Sequence, residues 1–275
     1  MITLGVSAAS ANSDQIVKSE QVTFDQRIVR KPLMRSQSKT SSFSLYRGED
    51  PRELPSYSIR ETAHYLRIPV ATLRSWVVGR WYPTGQGKKH FAPIIALPDP
   101  NKPLLSFVNM VETHVLDAIR REHSVPLYKV RTALQYLKKQ FPSEHPLADQ
   151  SFETDGSNLF IQKLGQLINV SQQGQFAMRE LLDAHLRRIQ RDPSGLAVRL
   201  YLFTRKRTPE EPRVVVIDPL VSFGKPVLAG TGVPTAVIAE RYKAGESIDE
   251  LASDYGRQRS EIEEAIRCEL EVEAA

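Results

Sequence analysis

Three Ser-x-x-Glu boxes, at Ser58 and Glu61, Ser247 and Glu250, and Ser260 and Glu263, each open a short apolar pattern. In such a box the serine hydroxyl accepts the amide of the glutamate, and the carboxylate accepts the amide of the serine. Breakers follow quickly: Ile68-Pro69 after the first box and Gly256 after the second. Helices this short are marginal alone in water, so they must be held by packing against other elements. The chain is therefore expected to be an assembly of small, end-stopped helices.

Behind the first box, Ile59, Ala63 and Leu66 fall on one helical face. A second helix is predicted from Val70 onward, with Leu73 and Trp76 turned to the core and Thr72, Arg74 and Ser75 left for bases or phosphates. Two short helices about a tight turn make a helix-turn-helix candidate. After Gly79, aromatic residues flank a Gly-rich tip carrying Lys88 and Lys89, which predicts a β-hairpin wing that presents cations to phosphate. Further helices are predicted from Ser106 through Arg121 and from Pro126, with Leu127, Val130, Leu134 and Leu137 facing inward.

Charge is divided along the chain. Residues 57–141 hold thirteen Lys and Arg against five Asp and Glu, whereas residues 213–275 hold seven against twelve. A basic block on a helix-turn-helix is the footprint of a nucleic-acid binder, and the acidic block is repelled by phosphate and must serve something else. Arg60, Thr72, Arg74, Arg80, Lys88 and Lys89 are the candidate DNA contacts, because arginine binds guanine or phosphate in a fork and lysine acts as a point charge. The competing reading is a protein-binding winged helix with a solvated basic face.

Residues 1–56 are rich in Ser, Gln and charge and are expected to be a disordered or loosely docked arm. Residues 57–141 form the winged helix-turn-helix, and residues 142–212 an α/β connector. The connector is predicted to hold a β-hairpin of residues 159–162 and 167–170 about Lys163-Leu164-Gly165-Gln166, a helix over 176–189, a strand over 197–203 and a charged linker over 205–213. Residues 213–275 add strands over 214–217 and 227–229, a sharp turn at Gly230 and Gly232, and three helices. The first helix runs from Pro234 to Gly245, and the other two start at the boxes of Ser247 and Ser260. The fold class expected is α+β, with a hairpin-topped trihelical module at the C-terminus.

Nothing in the chain has the spacing of a catalytic centre. Gly224-Lys225-Pro226 lacks the upstream glycine and following hydroxyl of a phosphate loop, and Pro234 after Gly230-Thr231-Gly232 removes an amide that phosphate would need. His64, His90, His114, His123, His145 and His185 show no metal spacing, and Cys268, the one cysteine, has no base nearby. No catalytic residue, metal or cofactor is therefore nominated. A nuclease would betray itself by metal-dependent activity. A lone cysteine excludes an internal disulfide, and no apolar run approaches the roughly 20 residues that span a bilayer. There is no signal-peptide pattern, so the expected compartment is the cytoplasm.

Two stretches resemble known families. Tyr57-Ser58-Ile59-Arg60-Glu61-Thr62-Ala63, followed by Pro69-Val70-Ala71-Thr72-Leu73-Arg74-Ser75-Trp76, resembles the MerR-type winged helix over residues 57–139. Ile217-Asp218-Pro219, Phe223-Gly224-Lys225-Pro226, Gly230-Thr231-Gly232-Val233-Pro234 and Ala244-Gly245-Glu246-Ser247 resemble a small domain of unknown function over residues 214–268. That domain commonly accompanies PIN-like ribonucleases, and the whole layout looks like the longer VapB-type antitoxins. Residues 142–212 match only loosely. The resemblance implies an antitoxin that neutralises a PIN-like ribonuclease toxin and represses its own operon by binding operator DNA. It also implies a homodimer or a higher toxin–antitoxin assembly, although the long MerR dimerisation coil is absent. Arg257 and Arg259, beside the last helix, are the candidates to reach a toxin's acidic centre; they also stand where they could balance Glu261, Glu263 and Glu264. A stand-alone MerR-like regulator is the alternative, and it would need an effector pocket in the middle region.

Overall fold

The computed structural model describes residues 48–270 other than 86, 122–124, 170, 206 and 209. Most of the expected N-terminal arm, residues 1–47, lies outside the described residues. Its end, residues 48–56, lies against the core: Pro51 is buried, Arg52 bridges Asp50 and Asp192, and Val108 donates its amide to the Arg52 carbonyl.

Strand β1 (Tyr57–Ser58) leads into helix α1 (Ile59–Leu66), and the box of Ser58 and Glu61 closes in both directions. Arg67 ends α1 in the left-handed region at φ 54°, and Pro69 opens α2 (Val70–Val77). Ile59, Ala63 and Leu66 bury one side of α1, and Leu73, Trp76 and Val77 one side of α2. Strands β2 (Arg80–Thr84) and β3 (Gly87–Phe91) form the expected antiparallel wing, and β4 (Leu104–Leu105) returns to pair with β1. Helices α3 (Phe107–Arg121) and α4 (Leu127–Gln140) complete this part.

The middle region departs from its predicted form. Residues 157–168 are one helix, α5 (Ser157–Ile168), entered through a π-turn at Phe152–Gly156, and not a β-hairpin. Phe160, Ile161 and Leu164 are buried at helical spacing. Gly165 is no turn residue: it lies within α5, and a Cβ there would sit 2.5 Å from the Gln175 side chain of α6 (Gln172–Leu186), whose flexible end lies over it. Asn169 caps α5 at φ 53°, and Ser171 caps α6 through the amide of Gly174.

Strands β5 (Ile189–Arg191), β6 (Ala197–Tyr201), β7 (Val215–Ile217) and β8 (Val227–Leu228) make one antiparallel sheet in that order. The pairs Leu200↔Ile217 and Tyr201↔Val216 carry it across the connector and the C-terminal module. The stretch predicted as a linker between them is instead pinned. Glu211 accepts the amides of Thr204, Arg205 and Arg207, and buried Arg188 donates to the carbonyls of Leu202, Glu211 and Pro212. Charged residues there bind backbone, so they mark a clamp where composition suggested a tether.

Helices α7 (Thr235–Lys243), α8 (Ile248–Tyr255) and α9 (Arg259–Glu269) close around Leu228, Ile238, Leu251, Ile262, Ala265 and Ile266. The box of Ser247 and Glu250 forms, and Gly256 caps α8 at φ 60°. The third box lies two residues earlier than predicted: Gln258 caps α9 with Glu261, which frees Glu263 to pair with Arg259. Among the described residues no helix is long and apolar enough to cross a membrane.

Candidate nucleic-acid interface

Arg60 stands at the second position of α1, exposed, between the Ser58 and Glu61 of the capping box. On α2 the nominated residues do not share a face. At about 100° per residue, Thr72 lies about 160° around the axis from Arg74. Arg74 points to solvent, while Thr72 is half-buried on the far flank, and its carbonyl accepts the Ser75 hydroxyl at 2.7 Å. The helix therefore brings Arg74 to its outer surface and leaves Thr72 aside.

Gly79 connects α2 to the wing at φ 84°, a conformation that disfavours any Cβ, and a Cβ there would lie 2.3 Å from the Phe91 carbonyl oxygen. The wing's register pairs Arg80 with Phe91, Trp81 with His90, Tyr82 with Lys89 and Pro83 with Lys88. Directly paired residues share a face and neighbours alternate. Arg80, Tyr82, Lys89 and Phe91 thus occupy one side, and Trp81, Pro83, Lys88 and His90 the other. The two lysines at the tip look in opposite directions. The root of the wing is held by Arg131 of α4, which stacks on Phe91 at 4.7 Å and donates to the carbonyls of Ala92 and Pro93.

Arg60, Arg74, Arg80, Lys88 and Lys89 are all exposed, and none forms an ion pair with another described residue. The C-terminal module behaves differently. Arg241 pairs with Glu246 and Asp254, Arg257 with Glu261, Arg259 with Asp249 and Glu263, and Arg267 with Glu264. The two arginines nominated for a toxin are therefore spoken for within the module; Arg257 also donates to the Ala229 carbonyl at 3.0 Å.

The turn of the helix-turn-helix is bound to distant parts of the chain. Arg207 is buried, pairs with Asp117 of α3, and donates to the carbonyls of Leu66 and Arg67. Arg67 donates to the Arg267 carbonyl at 3.0 Å, the Tyr57 hydroxyl to that of Gly224 at 3.1 Å, and Lys225 pairs with Glu61. Sequence reading missed these ties because their partners are 90 to 200 residues apart. It also missed the exposed aromatic on the wing, Trp81, which is 66% exposed with its ring 4.8 Å from that of His90.

The other titratable groups are structural. His114 stacks on Phe203 and His185 meets both rings at a tilt, and burial holds His114 well below its ordinary range. His145, between Glu112 and Glu53, is pushed up to about 10 by hydrogen bonds to those carboxylates. Burial raises the Cys268 thiol, which suits an inert group. The Gly230 turn is filled by Thr231, whose hydroxyl donates to the Leu228 carbonyl and accepts the Val233 amide.

Comparison with known proteins adds to this geometry. Residues 55–134 match a family described as "Putative DNA-binding HTH domain", and residues 215–267 one described as "Protein of unknown function (DUF433)". The chain is 32% identical over 232 residues to "Putative antitoxin VapB45" of Mycobacterium tuberculosis, covering 78% of this chain and 93% of that protein. It is 28% identical over 219 residues to "Uncharacterized protein Rv2308" of the same organism, covering 76% and 88%. The crystal structure of Rv2018 from M. tuberculosis superposes with a TM-score of 0.57 at 26% identity, covering 78% of this chain and 98% of that one.

Proposed function

This chain belongs to the family of "Putative antitoxin VapB45", and from that premise we propose that it neutralises a PIN-like ribonuclease toxin and binds operator DNA to repress its own operon. The observation that carries the DNA half is the contrast in charge pairing. Five cations of the winged helix stand exposed without a carboxylate partner among the described residues, while of the six cations of residues 214–270 only Lys243 lacks one. Like charges gathered on one surface repel one another and tax the compact state, and phosphate is the partner that relieves that repulsion, releasing its own counterions as it binds.

The toxin half rests on the family and on the acidic C-terminal module, which phosphate repels and which is free to serve a protein partner. PIN-type nucleases gather carboxylates around divalent metal, so an inhibitor acts by covering that centre or by placing a cation in it. Arg257 and Arg259 can do this only by exchanging Glu261, Asp249 and Glu263 for the toxin's carboxylates.

The experiment is co-expression with the neighbouring gene product, read by growth and co-purification, beside a binding assay on the DNA upstream of the operon. Rescue with a stable complex supports the antitoxin. DNA binding without any partner favours the stand-alone regulator. One feature favours that second reading: an open, largely polar surface groove where the middle region meets the C-terminal module, lined by Gln150, Glu153, Gln190, Arg191, Tyr201 and Arg213.

A further inference from the structure

The outward face of α2 is mostly apolar. Val70, Ala71 and Arg74, with Val78 that caps the helix, are exposed and, at about 100° per residue, fall within a stripe about 100° wide with Arg74 near its centre. Val70 is 47% exposed and Val78 40%. A helix face that merely meets water carries mainly charged and polar side chains. This face carries one cation between two valines, with an alanine beside it. Arg74 forms no ion pair with another described residue, and the Ser75 hydroxyl donates within the helix, which leaves no second polar reader on the stripe.

Resting on the DNA-binding reading above, we propose that α2 reads a guanine flanked by thymines in the major groove. Guanine presents two acceptors on that edge, matched by the forked guanidinium of Arg74. Thymine presents the C5-methyl, an apolar group on the same edge, and Val70, Ala71 and Val78 are the apolar contacts for it. The small side chain of Ala71 lets the helix backbone come close. From Val70 to Val78 the helix rises about 12 Å, which is about three to four base-pair steps of 3.4 Å. One helix therefore reads a core of about that length. Arg60, Arg80 and one wing lysine bind phosphates on either side and add affinity without sequence.

The test uses the full chain. Bound duplexes are selected from a random pool, and the recovered site is remade with each thymine replaced in turn by deoxyuridine, which removes only the methyl. Fluorescence anisotropy should show about a fourfold loss for each contacted methyl, the effect of one buried methyl group. Val70→Ala and Val78→Ala should each abolish the sensitivity at one thymine. Arg74→Met, which removes the donor, should keep the salt slope, because the contact is to a base and not to a phosphate, and lose roughly 5- to 150-fold discrimination at the guanine. All three positions are exposed, and matched thermal melts will confirm intact folding. A recovered site that is indifferent to every deoxyuridine, or one that Arg74→Met binds with unchanged preference, overturns the inference while leaving DNA binding intact. A pool from which no duplex is retained overturns the DNA-binding reading itself.

Discussion

Arg207 and Asp117, ninety residues apart, form a buried ion pair whose guanidinium also closes over the Leu66 and Arg67 carbonyls at the end of α1. One side chain from the loop after β6 thus serves a helix of the core and the turn that aims α2.

Removing that side chain leaves a buried carboxylate without this cation and two turn carbonyls without their donor. Breaking a buried pair from one side costs about 3–5 kcal/mol. Arg207→Met should lower the urea midpoint accordingly and weaken operator binding, because the turn loses its lock. A variant within 1 kcal/mol of the parent, on the order of one surface contact, would show that the pair is dispensable.

The wing makes a sharper prediction than its charge alone. Lys88 and Lys89 face opposite sides of the hairpin, so a duplex lying against one side meets only one of them. Salt-dependence measurements on Lys88→Ala and Lys89→Ala should find the slope reduced by about 0.9 in one variant and unchanged in the other. Equal reductions would mean that the hairpin enters DNA edge-on.

Gly79→Ala forces a Cβ toward the Phe91 carbonyl at a positive φ. Left-handed backbone alone costs a non-glycine residue about 1–2 kcal/mol, and the clash adds to it. Gly230→Ala has a similar φ, 76°, but open space around it, and isolates the backbone share. Thermal melts should rank parent, Gly230→Ala and Gly79→Ala in falling order, and DNA binding should suffer in the last alone.

His145 gives the fold a pH signature. Its folded pKa is raised to about 10 by Glu112 and Glu53, against about 6.5 unfolded. The stabilisation is therefore complete below pH 6.5 and is lost as pH climbs toward 10. Urea midpoints measured at pH 6.5 and 9.5 should fall with rising pH in the parent and change less in His145→Gln. A parallel fall in both would place the proton elsewhere.

Charge reversal at Arg257 and Arg259 together should abolish rescue from the toxin if they reach its acidic centre. Because reversal also breaks their pairs with Glu261, Asp249 and Glu263, Arg257→Gln with Arg259→Gln is the companion variant. Unimpaired rescue by both double variants, confirmed folded by circular dichroism, would assign the arginines to the module's own stability.

Local signals were read correctly where a helix end or a strand is decided by neighbours in sequence. The box of Ser58, the wing, and the helices ending at Arg121 and Gly256 are of this kind. The hairpin assigned to residues 159–170 failed because a short apolar run with a central glycine fits either period, and the burial of Phe160, Ile161 and Leu164 at helical spacing decides it. The linker failed because charge was taken as a sign of solvation, whereas Arg188, Arg207 and Glu211 spend theirs on buried carbonyls and amides. At the candidate interface residue types were legible, but their directions were not. Separating Arg74 from Thr72 and Lys88 from Lys89 needed the helix phase and the hairpin register.

Residues 215–267, which match one family, are joined by hydrogen bonds between β6 and β7 to a connector that belongs to neither match, and by the Tyr57–Gly224 and Arg67–Arg267 bonds to residues 55–134, which match the other. What can be recombined as genes is here not separable as folded matter. A protease cut in the loop between these strands would leave the halves associated, but release of either half would bare a strand edge with unpaired amides and carbonyls. The freed C-terminal piece would then need a substitute strand or would aggregate, so its survival on its own would depend on another chain lending that edge.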